Sequence, residues 1–150
     1  MKASLKLALG GLVLGAFLVL PSAAQTTDLI AGQHILVGTF DISVQGADGI
    51  FRYQITEPGW CIGKVHLYLG ITPPLKSAPG RFPVHGDGDC SETVTLQVPL
   101  GDLASSGFFF AAHAEVRQVG GAGGGRETAW ANNPFPLSHG WGSYGVFIRE

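Results

Sequence analysis

The chain carries little charge, two cysteines and no long apolar run beyond its start, and each shortage removes a class of protein. Asp, Glu, Lys and Arg make up 13% of the 150 residues, and the formal net charge is only −2. A near-neutral surface that leans acidic offers no electrostatic footprint for nucleic acid or an anionic membrane, so neither is expected as a partner. After residue 20 no apolar stretch approaches the roughly 20 residues of a membrane-spanning helix, which predicts no span in the mature chain. Cys61 and Cys90 stand alone, with no C-x-x-C pair and no Cys/His cluster, so redox or metal chemistry at cysteine is not expected. The G-x-S-x-G elbow of serine hydrolases is missing. The run "GGAGGG" (120–125) lacks the Lys-Ser/Thr and the strand-to-helix setting of a phosphate loop. The eleven acidic residues include no pairing that marks a glycosidase.

What is present begins with a leader. Lys2 and Lys6 head an apolar run from Leu7 to Leu20, and Ser22, Ala23 and Ala24 follow as small residues. That pattern predicts a signal peptide over 1–24, with a single domain over 25–150. The mature product is then about 126 residues long (150 minus 24), secreted or periplasmic, and its seven basic and eleven acidic residues give −4. In an oxidising compartment Cys61 and Cys90 are expected to pair. Closing a loop of that size stabilises by about 3 to 4 kcal/mol through the unfolded chain.

The mature sequence has the period of strands. "HILVGTFDISV" and "IFRYQITE" flank the turn residues of "QGADG" and read as a hairpin. "KVHLYLGI" and "ETVTLQVPL" alternate apolar and polar positions, as half-buried antiparallel strands do. "TPPLKSAPGRFPVHGDGD" (72–89), rich in proline and glycine, reads as a long surface loop, and 120–125 as a mobile tip. No run of ten residues has a helical period, although "GDLASSG" suits one turn of helix. The fold class predicted is all-β, an antiparallel β-sandwich of about six to eight strands with one disulfide.

The segments "LIAGQHILVGTF", "GWCIGKVHLYLG", "PPLKSAPGRFP", "FAAHAEV", "ETAWA" and "WGSYGVFI", in this order, resemble a group of small secreted bacterial β-sandwich domains. The resemblance runs over nearly the whole mature chain and implies an extracellular sandwich. It carries no catalytic mechanism. This chain departs from the group in its longer "GGAGGG" tip.

Candidate chemistry centres on "FFFAAHAEVRQ" (108–118). Its period of two puts Phe108, Phe110, Ala112, Ala114 and Val116 on a core face, and His113, Glu115 and Arg117 on the other. If the strand carrying His66 lies in the same sheet, His66 and His113 approach each other, with Glu115 or Glu127 supplying a carboxylate. Two imidazoles and a carboxylate suit zinc, and with an open position they suit a metal-dependent hydrolase. The plainer expectation is that the histidines and Glu127 hold a loop in place by hydrogen bonds. Asp87 and Asp89 in "HGDGDC" are weak calcium candidates. Trp130 and Trp141, in irregular glycine-rich sequence, are the candidates for stacking on sugar rings. The function expected is that of an exported, non-enzymatic module at the cell surface or in the matrix. It would bind a glycan or a surface protein, or associate with itself, with a carbohydrate-binding module and a metal-dependent hydrolase as alternatives.

Overall fold

A computed structural model describes residues 23–120 and 124–149. The expected leader lies outside the described residues except for Ala23 and Ala24, and the expected mobile tip lies outside them at 121–123. The strands are β1 (Ala23–Ala31), β2 (Ile35–Gln45), β3 (Asp48–Ile55), β4 (Trp60–Gly70), β5 (Val84–Ser91), β6 (Thr93–Pro99), β7 (Phe108–Gln118), β8 (Arg126–Ala131), β9 (Phe135–Pro136) and β10 (Ser143–Phe147). A four-residue helix, α1 (Leu103–Ser106), falls on the "GDLASSG" stretch, and a short 3-10 turn spans Pro79–Arg81.

Every strand pairing is antiparallel, and eight strands follow one path in the order β5-β4-β7-β8-β1-β2-β3-β6. The two end strands, β5 and β6, are joined through Glu92 and touch, so the sheet nearly closes into a barrel. The short β10 pairs with Phe108–Phe110 at the start of β7 and with β9. The all-β antiparallel class and the Cys61–Cys90 disulfide agree with the sequence reading, with ten strands in place of six to eight.

The long loop expected over 72–89 is corrected by β5, which begins at Val84. Its residues VHGDGDCS lack the β-branched content that marks strands. The reason glycine belongs there is close approach. A side chain at Gly86 would lie 2.8 Å from Leu96 Cδ2, and one at Gly88 would lie 2.6 Å from the Ile62 carbonyl oxygen and 2.7 Å from Val94 Cγ2. Bare backbone at these positions lets the two ends of the sheet meet.

The core lies inside this nearly closed sheet. Phe40 of β2 stacks on Phe110 of β7 with ring centroids 5.9 Å apart, and Phe51 of β3 meets Phe108 edge-on at 6.1 Å. Tyr53, fully buried, donates its hydroxyl to the His66 carbonyl oxygen at 3.1 Å. Burial raises its pKa far above the ordinary phenol value, so the group stays a donor.

One irregularity positions the site. Between Ile62 and Val65, β4 holds one residue more than β7, which faces this stretch with Val116 and Ala114. The β-bulge at Gly63 and Lys64 returns Ile62 and Val65 to the same, inward side, where both are fully buried. Strict alternation would have turned Ile62 outward.

Candidate functional site

The outer surface of β5, β4, β7 and β8 carries an aligned row of aromatic and imidazole rings. Register places His85 beside His66, His66 beside His113, and His113 beside Trp130. His66 Nδ1 lies 3.1 Å from His113 Nδ1, and the two rings are only 9% and 5% exposed. One Nδ1–H donates to the other Nδ1, and the tautomers decide which. His85 stands edge-on to His66 with centroids at 5.4 Å, and Trp130 edge-on to His113 at 4.9 Å.

This half of the surface is roofed. Phe82 at the end of the proline-rich segment and Leu137 from the stretch after β8 pack with Ala111 and Trp130 in a second apolar cluster, flanked by Tyr68, Trp141 and Tyr144. The Ser138 hydroxyl donates to the Leu75 carbonyl oxygen at 2.6 Å and fastens the two covering segments together. Between His85 and Trp130 the two imidazoles are buried from water. Burial, and then the neighbouring His66, lower the His113 pKa to about 3. Burial and then His85 also lower that of His66; Glu115 opposes the shift, and Lys64 adds to it. Both rings are therefore neutral at neutral pH.

The other half is open. A cleft of about 640 Å³ runs from His113 past Glu115 and Thr128 to Arg117 and Arg126, with Lys64, Asp87 and the disulfide at Cys90 on its opposite wall. The register pairs Glu115 with Thr128 and Arg117 directly with Arg126. Among the described residues the single ion pair is Arg52–Asp41 at 3.2 Å, so Lys64, Arg117 and Arg126 make none. Two cations facing each other across a ladder destabilise the sheet unless an anion lies between them.

The residues expected from sequence divide accordingly. His66 and His113 meet as anticipated. Glu127 does not meet their rings: it pairs with Val116, three positions along the ladder from the His113–Trp130 pair, borders the same open cleft, and its Oε1 lies 2.8 Å from where a side chain at Gly32 would begin. The carboxylate on the histidine side is Glu115. Trp130 is not an exposed stacking platform. It is 3% exposed, contacts Phe82 and His113, and leaves so little room that a side chain at Gly142 would lie 2.6 Å from its Cε2. Its position in a strand register, rather than in the irregular sequence around it, decides its burial. Trp141 is half-buried and borders a smaller hollow of about 340 Å³ with Gln33, His34 and Asn132. Asp87 Oδ1 accepts the Asp89 backbone N–H at 2.9 Å, a local turn within β5. Among the described residues no set of three His, Cys, Asp or Glu side chains is arranged around a metal position.

Lys64 and Arg126 are functional candidates that sequence reasoning passed over, and Arg117 was placed on the polar face of its strand without a role. A signal existed in "EVRQVGGAGGGRET", where an arginine stands on each side of a glycine-rich turn that could join two strands as a hairpin. Compared with protein-family models, with curated proteins and with solved structures, the chain matches none of them.

Proposed function

We propose that the chain is an exported, non-enzymatic binding module that takes an anionic ligand of about the size of a sugar residue in the cleft beside His113. The observation that carries this reading is the cross-strand pair Arg117 and Arg126, which face each other in an open cleft with no ion-pair partner. Guanidinium groups hold carboxylate and sulfate in a planar, two-pronged geometry that lysine cannot copy. Glu115, Thr128 and Asp87 supply acceptors for hydroxyl groups around that anchor. The cleft volume falls in the range of about 300 to 1,000 Å³ usual for small-ligand sites. An acidic saccharide, carrying a uronate or sulfate group, combines both features. Binding rather than turnover is favoured because the two imidazoles in reach are buried and hydrogen-bonded to each other.

Export is supported by the leader-like sequence and by the disulfide. The sandwich layout is supported by the aromatic contacts of β2 and β3 directly against β7, which bring opposite halves of the sheet face to face.

The test is an array of acidic and neutral saccharides read at low and at physiological salt. Wild-type protein is expected to retain uronate- or sulfate-bearing ligands, with binding lost in the Arg117→Ala/Arg126→Ala double variant. Retention of ligand by the double variant, or a preference for neutral glycans that Trp141→Ala abolishes, contradicts the proposal.

A further inference from the structure

At the end of the open cleft, which His113 borders, the two buried imidazoles have the spacing of a chelate. Zinc bound by histidine has metal–nitrogen distances of about 2.0 to 2.1 Å, and tetrahedral ligation then sets the two nitrogens about 3.3 Å apart. His66 Nδ1 and His113 Nδ1 stand 3.1 Å apart on adjacent strands, with ring centroids at 5.2 Å and an interplanar tilt of 39°. The pair is held there by backbone register, by Trp130 against one ring and by His85 against the other, so little side-chain freedom is lost when a metal enters.

We propose that His66 Nδ1 and His113 Nδ1 form a two-histidine seat for a nitrogen-preferring divalent transition ion, with water or a further donor completing its coordination. Among the described residues no third His, Cys, Asp or Glu converges on the pair, so at least two positions on the ion are left to exogenous donors. His113 borders the open cleft, which gives the ion its route. Binding breaks the Nδ1–H···Nδ1 hydrogen bond. The histidine that donated moves its proton to Nε2, which frees both Nδ1 lone pairs for the metal, and no proton need be released. Among first-row divalent ions Cu²⁺ binds such nitrogen sites most tightly, above Zn²⁺. The seat does not rest on the saccharide reading, because its donors are His66 and His113 whereas the anchors of the saccharide are Arg117 and Arg126.

The experiment titrates metal-stripped, disulfide-intact protein with Cu²⁺, and separately with Zn²⁺, without any saccharide. It reads calorimetry for both ions and electron paramagnetic resonance for Cu²⁺. One ion per chain is expected, with a Cu²⁺ spectrum showing coupling to two nitrogens. His66→Gln and His113→Gln are each expected to weaken binding by at least the roughly 10- to 100-fold that even an outer-shell partner is worth. His34→Ala is expected to leave it unchanged. Near-UV circular dichroism identifies any variant that has lost its fold, and wild-type protein decides the matter alone if both have. Absence of one-to-one binding by wild type, a spectrum without two-nitrogen coupling, or equal weakening by His34→Ala overturns the seat and leaves the pair a hydrogen bond only.

Discussion

The two faces of β7 show what one strand gains by being covered differently on each side. Its inward residues, Phe108, Phe110, Ala112, Ala114 and Val116, are sealed by hydrocarbon from across the sheet. Its outward residues divide: Ala111 packs with Phe82 and Leu137 and His113 is buried against Trp130, whereas Glu115 and Arg117 face solvent in the cleft. The inner face stabilises the fold through contact area. The outer face keeps imidazole neutral in one half and leaves cations unpaired in the other.

The largest separation between the faces is expected from truncating the inner one. Phe110→Ala removes a fully buried ring that stacks on Phe40 and is expected to cost about 3 to 5 kcal/mol, read by urea unfolding. Replacing Cys61 and Cys90 together by serine is expected to cost about 3 to 4 kcal/mol, because the closed loop no longer constrains the unfolded chain. It also loosens the cleft wall at Cys90, so ligand affinity is expected to fall with stability.

Acid provides the next test, on metal-free protein. The His113 pKa lies at about 3 in the folded protein, below the ordinary 6.5, and that of His66 is lowered as well. The unfolded chain therefore binds protons that the fold refuses. Stability from this source is complete above about pH 6.5. It is lost as pH falls toward 3, at up to about 1.4 kcal/mol per pH unit for His113. Urea midpoints measured between pH 7 and pH 4 should fall accordingly, and His113→Gln should flatten the slope. An unchanged slope would mean that water already reaches the ring.

The smallest effect has the opposite sign. Arg117→Ala removes one of two facing like charges and is expected to raise stability by a few tenths of a kcal/mol to about 1. The same substitution is expected to weaken ligand binding. Lower stability together with unchanged binding would place the arginine in the architecture instead.

How far these features were legible depended on the distance over which they are encoded. The two faces of β7 followed from alternation along eleven residues, and the meeting of His66 with His113 needed only that two alternating strands be neighbours. The burial of Trp130 was not legible, because it depends on a register with His113 and on a roof contributed by Phe82, 48 residues earlier by number. Strand β5 was hidden for a different reason: Gly86 and Gly88 serve the approach of β6 and β4 and carry none of the side chains that advertise a strand. The bulge at Gly63 and Lys64 likewise has no local mark. The facing arginines could be found only once β7 and β8 were taken as a hairpin.

The most direct test of the anionic-ligand cleft is an NMR titration of isotopically labelled protein with a uronate-bearing oligosaccharide, following backbone amides and arginine Nε–H groups. The expected result is saturable shifts at Glu115, Arg117, Arg126 and Thr128, with the arginine Nε–H signals moving most. Shifts confined to Trp141, Asn132 and His34 around the smaller hollow, or none at any ligand concentration, would contradict it.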